Sequence, residues 1–219
     1  MTAQQKSTQD QKSPPLTAVQ EMGEFTKTAL IAIFLALLIR TFLYEPFNIP
    51  SGSMLPTLEI GDYLFVYKPE YGYSKHSFPF SLAPIEGRVW EDAPARGDVI
   101  VFKLPTNTSI DYIKRLVGMP GDRIQVQAGR LYINGEMIPR EFVAKHMLDD
   151  KMRGDVEMTE YIETLPGGVQ HRIYEETDDR PLDDTDEYTV PEGHYFFMGD
   201  NRDNSQDSRV SSMVGFVPF

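Results

Sequence analysis

Asp98-Val-Ile-Val-Phe-Lys103 and Tyr112-Ile-Lys-Arg-Leu-Val-Gly118 decide the fold class. The first is dense in β-branched and aromatic residues, the composition of a strand. The second can form a strand as well and carries Lys114 among Tyr112, Ile113, Leu116 and Val117. Around them the same texture recurs. Tyr63–Tyr67 reads as a strand, and Asp122–Gln127 alternates as a strand with one wet face does. Gly129–Ile138 predicts a hairpin turning on Asn134-Gly135. Tyr188–Val190 and His194–Met198 add further strand, and no repeat at a fixed period is visible. The body is therefore expected to be mainly β. Tyr71–Arg96, with its prolines and glycines and little periodicity, reads as a long loop, and residues 125–191 read as an inserted β-rich lobe.

Towards the N-terminus the texture changes. Residues 1–24 are polar and predict a flexible tail. Thr28–Ile39 contains no charge, and Phe25–Tyr44, with only Lys27 and Arg40 charged, reaches the length of a bilayer span. Apolar residues lie on every side of this helix, which favours lipid over a half-buried surface. A cleaved signal peptide would need a small-residue cleavage site, and Arg40-Thr-Phe-Leu-Tyr-Glu-Pro46 is not one. A buried core helix is the other rival; one transmembrane anchor over residues 25–44 is preferred. Lys6, Lys12 and Lys27 favour an inside N-terminus and an exported body, whereas Arg40 pulls the other way. Phe47-Asn-Ile-Pro50 ends the helix and opens an extended segment, since proline turns its predecessor away from helix. A first part of the core then covers 45–124 and a last part 192–219.

Composition narrows the function. The net charge of -12 argues against nucleic acid as a partner. Most of it comes from Asp149–Glu187, where 14 acidic residues face 4 basic ones. That stretch reads as a solvated, partly mobile surface; no run in it has the spacing of a calcium loop. There is no cysteine, so thiol nucleophiles, thiolate metal sites and disulfides are excluded. The histidines, His76, His146, His171 and His194, show no ligand spacing and read as surface or packing residues. A Ser–His–Asp triad stays formally open, because its members need not be close in sequence.

Three segments carry candidate chemistry. In Pro50-Ser-Gly-Ser-Met-Leu-Pro-Thr-Leu58 two serines flank a glycine, and prolines bracket them. Such a loop can hold out a hydroxyl and aim a backbone N–H and a second hydroxyl at one point, the needs of a nucleophile with an oxyanion hole. Taken alone, Ser-Gly-Ser is also an ordinary turn. A serine needs a base, and Lys114 offers one if burial lowers its pKa. On burial grounds alone an adjacent Lys114–Arg115 pair reads as exposed. Gly199-Asp-Asn-Arg-Asp-Asn-Ser-Gln-Asp-Ser-Arg209 is a polar, self-bonded loop able to buttress a site. Within it Asp207 and Arg209 are placed to pair, and Ser205 to donate to an amine.

Together, and in order, these segments resemble the boxes of the bacterial type I signal peptidases. Pro50–Leu58 resembles the nucleophile box and Arg96-Gly-Asp-Val-Ile-Val-Phe102 the next. Tyr112-Ile-Lys-Arg-Leu-Val-Gly-Met-Pro-Gly-Asp122 resembles the general-base box, and Gly199–Arg209 with Gly215-Phe-Val-Pro218 the last. The likeness runs from about Phe34 to the final residue. It implies an antiparallel catalytic sheet with an inserted lobe and one N-terminal transmembrane helix. Ser53 would be the nucleophile and Lys114 the general base. The Ser53 N–H and the Ser51 hydroxyl would form the oxyanion hole, Ser205 would orient Lys114, and Asp207 with Arg209 would hold the loop. Phe47, Ile49, Pro50, Leu58, Asp111, Tyr112 and Ile113 would line shallow pockets for small residues at the first and third positions before the cut. No cofactor or metal is implied.

The implied partners are preprotein signal peptides, a lipid bilayer and the protein-export translocon. The implied place is the bacterial cytoplasmic membrane, with the catalytic part on the outer, periplasmic side. Two departures stand out. The family continues past the Pro-rich end with a short further strand, so a truncated chain is expected, and some members have two anchors where this chain shows one. Two rivals remain. A self-cleaving repressor of the Ser–Lys type would need a DNA-binding helical domain in place of the tail and apolar helix. A catalytically dead tethered module would hold extended peptides without cutting them, and intact Ser53 and Lys114 argue against it.

Overall fold

The computed structural model describes residues 17–78, 84–85, 87–150 and 154–219. Helix α1 (Ala18–Phe42) opens it, its first turn closed by Gln20, whose side chain accepts the Thr17 N–H at 2.9 Å. None of its residues is buried. At 1.5 Å per residue it reaches roughly 37 Å, more than the hydrocarbon core of a bilayer, and it is apolar enough to cross a membrane. It starts earlier than expected: Ala18–Glu24, read as tail, is helical, because apart from Gly23 that stretch holds no helix breaker. It also ends earlier. Tyr44, counted with the span, begins strand β1 (Tyr44–Asn48), which pairs with β2 (Tyr63–Tyr67) from Tyr44↔Tyr67 to Asn48↔Tyr63.

The expected long loop holds a two-residue hairpin, β3 (Tyr73–Ser74) with β4 (Arg88–Val89); residues 79–83 and 86 of it lie outside the described residues. Then come β5 (Val99–Leu104), β6 (Asn107–Gly118), β7 (Arg123–Gln127), β8 (Arg130–Ile133) and β9 (Glu136–Met137). β8 turns into β9 at Asn134 (φ 56°) and Gly135 (φ 84°), the left-handed pair that a tight hairpin requires. The long strands β10 (Arg140–Asp150), β11 (Gly154–Leu165) and β12 (Val169–Glu175) form an antiparallel sheet of their own. The chain closes with β13 (Tyr188–Thr189), β14 (His194–Met198) and β15 (Val217–Pro218). One four-stranded sheet runs β15-β14-β6-β5 and another β13-β7-β8-β9.

Strand β14 explains the core. Tyr195, Phe196, Phe197 and Met198 are all buried. Successive strand residues face opposite ways, so an unbroken apolar run needs cover on both faces. Phe196 and Met198 pack with Val117, Ile124, Val126, Leu131, Ile133, Leu165 and Val190. Tyr195 and Phe197 pack with Leu104, Leu116, Val214 and Val217. The segment 125–191 thus shares its apolar packing with β6 and β14.

Most described carboxylates of the acidic stretch are exposed, as a solvated surface requires, but four depart from that reading. Glu160, Glu163, Glu175 and Asp183 are 4%, 1%, 3% and 1% exposed. Glu163 is gripped by both terminal nitrogens of Arg202. Glu160 meets His146 at 2.6 Å and Arg172 at 3.2 Å, and Glu175 lies 3.4 Å from Arg140. The strands β11 and β12 carry Glu160, Glu163 and Glu175 inwards, where charged partners meet them, whereas Asp183, beyond β12, accepts the Arg180 main-chain N–H at 2.6 Å. Replacing Phe196, fully buried between the two four-stranded sheets, with alanine should destabilise the fold by about 3–5 kcal/mol, measurable as a fall in the denaturant midpoint.

Candidate active site

Strand β6 carries the general-base candidate to the edge of the core. Asn107–Asp111 are exposed, Tyr112 and Ile113 half-buried, and Lys114 is the first fully buried residue, 4% exposed. Its Nζ donates to Ser53 Oγ at 2.6 Å and to the Ile113 carbonyl at 2.9 Å. The Tyr112 ring centroid lies 5.3 Å from Nζ. Burial strips water from the ammonium and lowers its pKa from 10.5 to about 8, against the opposing pull of Asp207 and Asp200. The reading of Lys114–Arg115 as an exposed pair fails because both cations find partners. Arg115 is 7% exposed; its Nε and Nη2 grip Asp200 at 2.8 and 2.6 Å, and its Nη1 donates to the Gly97 carbonyl at 2.6 Å.

Ser53 sits in the 3-10 turn Gly52–Met54, 8% exposed. The Ser51 hydroxyl, on the solvent side, lies 3.4 Å from the Ser53 hydroxyl. Such a turn leaves main-chain carbonyls to be satisfied from elsewhere, and the loop 199–209 supplies the donors. The Asn201 N–H donates to the Ser53 carbonyl at 3.1 Å, and Asn201 Nδ2 to the Gly52 carbonyl at 3.0 Å. Thr57 donates to Asp200, and Arg115 Nη2 reaches Thr57 Oγ1 at 3.3 Å. The nucleophile turn, the lysine strand and the loop are therefore one bonded unit.

Asp207 and Arg209 pair as expected: Arg209 Nε and Nη2 each lie 2.9 Å from an Asp207 oxygen, and the Gly199 N–H donates to Asp207 at 3.0 Å. Burial alone would raise the Asp207 carboxyl, but the Arg209 charge overrides it and the net direction is down. Ser205 lies beside the site, next to Gly199 and the Ser53 carbonyl, but without the expected hydrogen bond to Lys114. It is buried, 7% exposed, against the Asp207 carboxylate, and its hydroxyl makes no well-formed hydrogen bond. The two bonds of the Lys114 ammonium go to Ser53 and Ile113 instead.

The expected pocket residues divide. Phe47 and Asp111 line an open groove of about 1310 Å³ that runs from Arg40 of α1 to Phe102 and Phe219. Ile49, Pro50, Leu58, Tyr112 and Ile113 do not line it. Ile49 is 3% exposed, its N–H bonded to the Asp62 carbonyl at 2.9 Å; Pro50 is exposed and Leu58 half-buried. Asp111 pairs with Lys103 at 2.8 Å. Strand β14 pairs with β6 only from Arg115 to Gly118, so among the described residues β6 has no strand partner on that side over Asp111–Ile113. No histidine bonds Ser53 among the described residues; His171 lies 3.3 Å from Glu163. Arg115, Thr57, Asp200 and Asn201 were given no role from sequence. Asp200 and Asn201 stand in the quoted loop, but nothing in the chain pairs Asp200 with a residue 85 positions away.

The family model "Signal peptidase, peptidase S26" matches residues 22–219. The chain belongs to that family. It is 43% identical over 212 residues to the signal peptidase I of Rickettsia conorii, covering 93% of this chain and 76% of that protein. With the signal peptidase I of Rickettsia akari it shares 43% over 196 residues, 85% of this chain and 71% of the other. A crystal structure of a signal peptidase I from Enterococcus faecalis matches at 30% identity and a TM-score of 0.32, over 58% of this chain and 91% of that one.

In this member of the family Gly199 is the tightest point of the site. A Cβ there would lie 2.2 Å from Ser205 Oγ and 2.6 Å from the Ser53 carbonyl oxygen. The second contact is backbone and cannot swing aside. Gly199→Ala should displace the nucleophile turn and lower kcat/KM on the order of 100-fold, with far-UV circular dichroism unchanged.

Proposed function

We propose that this peptidase removes signal peptides from exported proteins, with Ser53 as nucleophile and Lys114 as its base. The observation that carries the reading is the 2.6 Å hydrogen bond between the buried Lys114 amine and the Ser53 hydroxyl. The neutral amine takes the Ser53 proton as Oγ attacks the scissile carbonyl. The resulting oxyanion is met by the Ser53 N–H and the Ser51 hydroxyl. The C–N bond breaks as the lysine returns the proton to the leaving amine. Water, deprotonated by the same lysine, then clears the acyl-enzyme. In this scheme Ser205, Asp207 and Arg209 act behind the lysine, on the loop that supports it.

The substrate adds as an extended strand to the free edge of β6 over Asp111–Ile113, where main-chain bonds give affinity and alternate side chains give selectivity. Phe47, which lines the open groove with Asp111, faces it from the nucleophile side, and the pockets there admit small residues at the first and third positions before the cut. Helix α1 anchors the enzyme in the bacterial cytoplasmic membrane. Lys6 and Lys12 precede the helix and Lys27 lies in its first half; against the opposite pull of Arg40 they favour a body on the outer side, where the export translocon delivers preproteins.

Ser53→Ala and Lys114→Ala should each lower preprotein cleavage by more than about 1000-fold while the protein stays folded. The check is incubation with a precursor and sequencing of the new N-terminus; near-normal cleavage by either variant refutes the assignment. Lys114 is active when neutral, so activity must rise with pH up to its pKa of about 8 and level off above it. A kcat/KM profile flat from mildly acidic to mildly alkaline pH would remove the lysine from this role.

A further inference from the structure

Away from the dyad, three carboxylates converge behind the loop 199–209. Glu175 closes β12, Asp183 lies in the connection to β13, and Asp203 is in the 3-10 turn Arg202–Asn204. One oxygen of each lies within 4.8 Å of one oxygen of the other two. Two oxygens bound to opposite sides of one calcium ion at 2.3–2.6 Å are at most about 5 Å apart. Glu175 and Asp183 are 3% and 1% exposed, and Asp203 is half-buried.

Each carboxylate has one oxygen with a partner. Glu175 Oε1 lies 3.4 Å from Arg140 Nη1, and Asp183 Oδ2 accepts the Arg180 N–H at 2.6 Å. Asp203 Oδ2 accepts the N–H groups of Glu176 and Thr177 at 2.7 and 3.0 Å. The other oxygen of each, Glu175 Oε2, Asp183 Oδ1 and Asp203 Oδ1, is closed off from water with no hydrogen bond. Buried anionic oxygens are held by donors or by a metal, and three converging carboxylates that each keep one unheld oxygen form a donor set. The nearby guanidinium groups make their shorter contacts elsewhere, Arg140 reaching only the other Glu175 oxygen, at 3.4 Å. Arg202 grips Glu163, Arg209 grips Asp207, and Arg140 grips Asp178 at 2.8 and 2.9 Å.

We propose that Glu175, Asp183 and Asp203 bind a divalent cation, calcium in first place. All donors are carboxylate oxygens, which suits hard cations over zinc or copper. The three residues come from separate segments, so the site has no calcium-loop spacing to read in the sequence. The ion joins the end of β12 and the connection to β13 to the loop that bears Asp207. Its role is to fasten that loop; the proton transfer between Ser53 and Lys114 does not pass through it. The proposal stands independently of the substrate assigned above.

The test uses the full chain in detergent, stripped with a chelator and dialysed free of metal. Calcium, magnesium and manganese chlorides are titrated in separately, followed by calorimetric heat and thermal unfolding. Calcium should give saturable heat at one ion per chain and raise the Tm by roughly 5 °C or more at a hundredfold excess over Kd. Asp183→Asn and Asp203→Asn should each lose both responses. If either variant fails to fold, the wild-type heat decides. Absence of heat and of a Tm shift with all three cations overturns the proposal. So does a calcium response that survives in both folded variants, or stabilisation by acid alone with none by cations.

Discussion

A lysine side chain held out of water beside a serine hydroxyl is the constraint on which this architecture turns. A fall of the Lys114 pKa from 10.5 to about 8 corresponds to roughly 3 kcal/mol in favour of the neutral amine. That preference comes from position along a strand. Strand β6 enters the core at Lys114, so one residue earlier the side chain would keep part of its hydration. Two residues on, Leu116 is fully buried on the same face, and Tyr112, two residues back, lays its ring near the amine. Leu116 packs with Phe197 of β14 in the second apolar cluster. The hydrophobic core and the chemistry are therefore set by the same strand.

The carboxylates nearby act against this. Asp207 and Asp200 both favour a charged Lys114, and bare carboxylates at those positions would return it to the protonated state. Each is held by an arginine instead: Asp200 by Arg115 and Asp207 by Arg209. Buried ion pairs of this kind contribute little net stability, since desolvation offsets much of the attraction. Here their value is local. They pair the two carboxylates that pull on Lys114, and they fix the loop. The Arg202–Glu163 pair extends the same arrangement into β11.

How much of this was legible follows from the range of each interaction. Strands set by β-branched composition and the Asn134-Gly135 hairpin are local, and they were found close to their observed bounds. The helix existed in the sequence, but its ends did not. Ala18–Glu24 is helical by propensity despite its polarity, while Tyr44 is drawn into β1 by pairing with Tyr67. Ser53 and Lys114 were legible by motif and come together in space. Ser205 was assigned to Lys114 by the same resemblance but sits against Asp207. A hydroxyl's rotamer and neighbour are decided by packing that no motif encodes. Most of the acidic stretch is the exposed surface its composition suggests, and its buried members escape a sequence reading because burial of Glu160 or Glu163 depends on His146, Arg172 and Arg202, each on another strand or loop.

The reacting side chains are also not what holds the site together. Asn201 binds the nucleophile turn through the Gly52 and Ser53 carbonyls, and Asp200 binds it through Thr57 while gripping Arg115. None of these links uses the Ser53 hydroxyl or the Lys114 amine. The spacing of the dyad is therefore imposed by main chain and by charged pairs, and the hydroxyl and amine are free to exchange a proton without loosening the frame. A dyad held by its own hydrogen bond would lose its geometry each time the serine formed an ester. In the proposed mechanism, fixing both partners from behind would let the lysine stay in place through acylation and act a second time on water.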